Sequence, residues 1–88
     1  MWIRFYLDPT TGQPHIVGHD VDEAEVADAL ENPGEDRPGR HGSRAVIGQT
    51  SAGRYLRVIY VREQEPDSVF VVTAYDLSAR QLTAYRRR

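Results

Sequence analysis

Between Arg44 and Tyr75 the chain reads as three strand-like runs, residues 44–50, 54–62 and 68–75, rich in β-branched and aromatic side chains. The pieces between them, Ser51-Ala52-Gly53 and Glu63-Gln64-Glu65-Pro66-Asp67, are short and turn-forming. Connections this short join antiparallel neighbours, so a meander is the economical arrangement. In the middle run Leu56, Val58 and Tyr60 share one face, while Tyr55, Arg57, Ile59 and Val61 share the other. Both faces are partly apolar.

Upstream, residues 2–7 read as a further strand, closed by Asp8-Pro9-Thr10-Thr11-Gly12. Asp22 followed three residues later by Glu25 is a capping box, and Val21 with Val26 forms a hydrophobic staple, which together predict a helix over residues 23–31. Its inward stripe is Val26, Leu30 and the alanines Ala27 and Ala29, with Glu23, Glu25, Asp28 and Glu31 toward water. Asn32-Pro33-Gly34 stops it, and the polar, glycine-rich stretch from Glu35 to Gly42 is expected to be irregular. Ser78 caps a short closing helix through Arg80, Leu82 and Tyr85, with arginines at its C-terminal end. The order strand, helix, three strands, helix belongs to the α+β class, with a four-stranded antiparallel sheet and helices packed on one face. Eighty-eight residues that are 40% hydrophobic close one core, so a single domain spans 1–88, with fraying expected over 83–88.

All eleven positive side chains are arginine, and they are segregated. Residues 1–36 carry one against nine carboxylates, and residues 37–88 carry ten against four. A folded surface with an arginine-rich side able to meet phosphate or carboxylate is the expectation, despite a net charge of −2. The absence of cysteine excludes disulfides, thiolate metal sites and a cysteine nucleophile, and fits a reducing, cytoplasmic setting. The apolar stretch Met1 to Leu7 is far too short for a signal peptide or a membrane span, so no membrane partner is expected.

Gly34, Gly39 and Gly42 do not lie between a strand and a helix, which sets phosphate-loop readings aside. His15 and His19 have the i, i+4 spacing of a helical metal pair, but Gly18 and the cap at Asp22 make this stretch read as a linker or short extended piece. Neither a metal nor a cofactor is expected. Serine and threonine catalysis lack a local signature. What remains is arginine with histidine and tyrosine. Cleavage of RNA by its own 2′-hydroxyl needs a base, an acid and cations around the phosphate, and Arg44, Arg54, Arg57, His19, His41, Tyr75 and Tyr85 are of the types that supply these without metal.

A set of short stretches then resembles a known family: His19-Asp20-Val21-Asp22-Glu23-Ala24-Glu25-Val26, Asn32-Pro33, Arg44 and Gly48, Gly53-Arg54-Tyr55-Leu56-Arg57-Val58-Ile59-Tyr60, Val72-Thr73-Ala74-Tyr75, and Tyr85. Together, over residues 15–85, they are similar to the BrnT-like branch of the RelE/ParE toxin superfamily. The resemblance implies a compact sheet with helices on one side, a basic surface for RNA, endoribonuclease activity and a cognate antitoxin. On that resemblance His19, Arg44, Arg54 and Tyr75 are the catalytic candidates, and Arg57, His41, Tyr85 and Arg86 are the RNA-binding ones. Tyr75 stands where the family's final strand typically ends in arginine, and Gly42 stands where an acidic residue is frequent. A non-catalytic module that binds nucleic acid or an acidic protein is the second expectation. A homodimer through an exposed strand edge is the third.

Overall fold

In the computed structural model, which describes residues 1–64 and 67–87, the capping box forms as its spacing predicts. The Asp22 carboxylate accepts from the Glu25 amide at 2.8 Å, and the Asp22 amide donates to the Glu25 side chain at 3.1 Å. Two of the orphan amides at the helix start are thereby satisfied, and helix α1 runs Glu23–Glu31. Val26 and Ala29 are fully buried on its inner face. Asp28, expected to face water, instead accepts from the amide and hydroxyl of Ser51 and ties α1 to the turn that follows β3.

The strands are β1 (Trp2–Phe5), β2 (Pro33–Pro38), β3 (Arg44–Gln49), β4 (Tyr55–Arg62) and β5 (Ser68–Asp76), in the sheet order β1-β5-β4-β3-β2. The antiparallel meander of β3, β4 and β5 is the one the turns indicate. The turn expected over residues 63–67 lies partly outside the described residues, as does the last of the three terminal arginines.

Two features enlarge the expected sheet. β1 pairs with β5 in parallel, Trp2 opposite Ser68 through Phe5 opposite Val71, so the sheet is mixed. Residues 33–38, expected to be irregular, form the fifth strand, antiparallel to β3. Pro33 and Pro38 stand at the two ends of this edge strand, where a missing N–H costs little, and its regularity comes from pairing with a distant segment rather than from local propensity. α+β is therefore the class, with five strands and two helices.

The core lies on one face of the sheet. Val46, Leu56, Val58, Tyr60, Val69, Val71 and Ala74 pack there against Ile16, Val21, Val26 and Ala29. Gly48 allows α1 this close, since a Cβ at that position would stand 2.2 Å from the Ala29 carbonyl oxygen. Helix α2 (Ala79–Arg86), capped by Ser78 and Gln81, lies against the opposite face. Its Tyr85 ring meets Tyr55 at 6.0 Å, and Tyr55 points away from the core on which Leu56 is buried. The two helices thus cover the two sides of the sheet rather than sharing one.

Candidate functional site

The α2 side of the sheet carries the site, and a β-bulge sets its composition. Ile59 pairs with Thr73 and Tyr60 with Val71, which leaves Val72 as an extra residue in β5. Without it, Thr73 and Tyr75 would continue the core-facing row of Val69 and Val71. With it, Ala74 turns to the core, and Thr73 and Tyr75 turn to the face of Ile59 and Arg57.

Arg57 is the direct cross-strand partner of Tyr75, and Thr73 is its diagonal neighbour. The Nε of Arg57 and the Oγ1 of Thr73 are both buried without a hydrogen-bond partner among the described residues. Burying a guanidinium nitrogen and a hydroxyl with nothing to bond is costly, and their placement on one face of adjacent strands is a donor pair suited to an anion. Two residues before Arg57 on the same face, Tyr55 packs against Tyr85 and lies beneath the Arg86 guanidinium, 5.7 Å from the ring centre. Gly34 makes room for α2 here, because a Cβ would fall 1.8 Å from the Tyr85 hydroxyl.

At the edge of this face stands a histidine pair. His15–His19 form a 3-10 turn rather than the linker or extended piece expected, anchored by the buried Ile16 and ended by Asp20 in the left-handed region. Asp20 donates its amide to the carbonyls of Ile16 and Val17, which stops the turn. The two Nε2 atoms are 3.3 Å apart, one ring donating and the other accepting. The His19 ring in turn lies 6.1 Å from Tyr75. Behind the pair, the Asp8 carboxylate accepts from the Thr10 amide with Oδ1 and turns Oδ2 toward His15 Nδ1 at 4.0 Å.

Of the eight residues singled out in the sequence, five gather on this side: Arg57, Tyr75, Tyr85 and Arg86 on the face itself and His19 at its margin. The other three do not. Arg44 faces the α1 side with its cross-strand partner Tyr60, and its Nε donates to Asp36 at 2.7 Å, a bond that raises its already high pKa. Tyr60 shares the same carboxylate at 3.1 Å. His41 sits with positive φ in the loop between β2 and β3, at the end of β3 away from Gln49 and Tyr55. Arg54 donates to Asp76 at 2.6 and 2.9 Å, to both oxygens of Glu25 at 2.9 Å and to the Asp20 carbonyl at 2.8 Å. The hydrogen bonds it donates to Asp76 and then to Glu25 push its pKa up, and its bonds to Asp76 hold that carboxyl below the usual carboxylate range. The charge segregation of the sequence is in part folded onto itself. Arg44 pairs with Asp36 and Arg54 with Glu25 of the acidic first segment and with Asp76 of the second, whereas Arg57 has no ion pair among the described residues.

Sequence reasoning passed over three members of the site. The bulge hides Thr73, Asp8 lies in a turn, and His15, weighed only as a metal ligand, is set aside with its segment read as a linker or short extended piece. The i, i+4 spacing of His15 and His19 was the one available signal.

The fold and this face define a small α+β domain with a mixed sheet and a polar, arginine-bearing surface under its last helix. Residues 16–76 match the family described as Domain of unknown function (DUF4258), and the chain belongs to that family. No curated protein and no solved structure matches it. The matched segment runs from Ile16 to Asp76, so it includes His19, Arg57, Thr73 and Tyr75 and stops short of α2.

Proposed function

We propose that the chain is a metal-independent endoribonuclease of the RelE type, the toxin of a toxin–antitoxin pair, and that RNA lies across the α2 side of its sheet. The observation that carries this reading is the meeting of Arg57, Thr73 and Tyr75 on one face with His19 at its margin, the Arg57 Nε and Thr73 hydroxyl having no hydrogen-bond partner among the described residues. In this reading Arg57 and Thr73 hold the scissile phosphate and offset the charge that builds on it. His19 takes the proton of the 2′-hydroxyl, whose oxygen attacks phosphorus. The bond to the 5′-oxygen breaks, Tyr75 gives that oxygen a proton, and a 2′,3′-cyclic phosphate and a free 5′-hydroxyl result. His15 holds the His19 ring in place through the 3.3 Å contact between their Nε2 atoms. Tyr55, Tyr85 and Arg86 offer ring faces and a cation to the flanking nucleotides. Such a toxin works in the cytoplasm beside a cognate antitoxin; no helix among the described residues is long and apolar enough to cross a membrane.

Incubation with single-stranded RNA in the presence of a chelator tests the reading. Cyclic-phosphate ends are expected from the wild type, with a loss of at least about a hundredfold in His19→Ala and Arg57→Gln. Equal cleavage by all three proteins overturns the assignment.

A second reading is favoured by the carboxylate partners of Arg44 and Arg54, which leave two of the four catalytic candidates neutralised. On it the same face binds nucleic acid or an acidic protein without cleaving it. RNA affinity that falls with added salt and with Arg57→Gln, in the absence of any product, distinguishes this case.

A further inference from the structure

We infer that His15 and His19 form a binding site for a borderline divalent cation of the Zn2+ class. The warrant is geometric. Their Nε2 atoms are 3.3 Å apart while their ring centres are 5.1 Å apart, so the rings converge through their Nε2 edges. Two imidazoles on one tetrahedral ion, with Zn–N of about 2.0–2.1 Å, have nitrogens about 3.3–3.4 Å apart and ring centres about 5 Å apart. The rings stand at 74° to each other, so neither stacks on the other, and an ion entering between them replaces the hydrogen bond that their Nε2 atoms share.

The surroundings fit a ligand pair. Ile16 is 1% exposed and pins the 3-10 turn between the two histidines, and the His15 amide donates to the Tyr6 carbonyl at 2.9 Å. The Asp8 carboxylate, fixed by the Thr10 amide, faces the far nitrogen of His15 at 4.0 Å. That is too long for a hydrogen bond, so the carboxylate adds negative charge beside the pair without fixing the ring. His19 is exposed, which leaves the outer side of the ion open to water. Among the described residues no group of three or more His, Cys, Asp or Glu side chains gathers around an ion. The chain therefore supplies two ligands and water the rest, so the affinity falls short of that of a structural zinc site.

Binding does not depend on RNA cleavage. Where the cleavage reading holds, an ion on His19 Nε2 replaces the contact with His15 that holds the ring, and zinc inhibits.

Titration of the intact chain with Zn2+ alone by calorimetry tests the site, with Co2+ absorption reporting four-coordinate geometry. One ion per chain is expected, weakened at least about tenfold in His15→Ala and in His19→Ala and unchanged in His41→Ala, whose imidazole lies in another loop. Because His15 is partly buried, nitrogen NMR of the wild-type imidazoles provides a reading free of mutation. Zinc should shift the Nε2 resonances of His15 and His19 and leave those of His41 in place. No binding at millimolar zinc, equal binding in both alanine variants, or shifts at all three histidines overturns the proposal.

Discussion

Arg54 places its Nη1 2.9 Å from each carboxylate oxygen of Glu25, the residue that also closes the α1 capping box. One guanidinium thus joins the start of β4 to the first turn of α1, and through Asp76 and the Asp20 carbonyl to the end of β5 and the turn before α1. Arg54→Ala removes five hydrogen bonds to three partners and leaves Glu25 and Asp76 without their cation. The Asp76 side chain is 57% exposed, so its share is discounted for solvent screening, and a loss of about 2 kcal/mol is expected. Urea unfolding should show a lower midpoint with an unchanged slope. Arg54→Lys should recover only part of it, because an ammonium cannot span both carboxylates with the same fork.

Acid should reach the fold through two aspartates. The Asp76 carboxyl is lowered first by its hydrogen bonds from Arg54, and that of Asp28 first by the Ser51 amide and then by the Ser51 hydroxyl. A carboxyl whose folded pKa lies below its unfolded value of 3.8 stabilises the fold at higher pH and loses that contribution as pH falls through the folded pKa. Stability should therefore hold above the unfolded value and decline below about pH 4. Asp28→Asn and Asp76→Asn should each flatten that decline in thermal melts across the acid range.

Two glycines should separate the two sides of the sheet. A methyl at Gly48 meets the Ala29 backbone at 2.2 Å, and neither the strand nor the helix has a flexible end there to move. Gly48→Ala should cost at least about 1–3 kcal/mol of global stability. At Gly34 the obstacle is the end of the Tyr85 side chain, which can swing away. Gly34→Ala should loosen α2 while the core remains, read as faster amide exchange in Ala79–Arg86 at a nearly constant melting temperature.

Thr73→Val replaces a buried, unpartnered hydroxyl with a methyl of the same shape. Removing an unsatisfied group of this kind should raise stability by about 1 kcal/mol. If Thr73 holds a phosphate, the same variant should bind RNA more weakly. Opposite signs in the melt and the binding assay would identify Thr73 as kept for ligand rather than for folding, whereas lower stability would mean the hydroxyl has a partner in the protein.

The parts of the fold that local signals specify were legible. Asp22, Glu25, Val21 and Val26 define α1 at both capping ends of its box, and alternation with short turns defines β3, β4 and β5. β2 was not, because Pro33-Gly34 and Pro38 read as breakers and only pairing with β3 makes the segment regular. The site was legible in its residue types but not in its grouping. Strict alternation puts Thr73 and Tyr75 on the side of Val71, and a single unpaired residue, Val72, moves both to the side of Arg57. Nor does the charge pattern alone tell that Arg44 and Arg54 spend their charge on Asp36 and Glu25 while Arg57 does not.

The parallel pairing of β1 with β5 has a bearing on synthesis. Of the two, β1 leaves the ribosome first and finds its neighbour only when Ser68 to Val71 follow it out, so the outer strand waits beside an incomplete sheet until then. Closing that long loop is a late step, set by topology rather than by local preference. Until it happens Ile3 and Phe5 have no core to cover, and a nascent chain caught at that stage offers them to chaperones or to other chains.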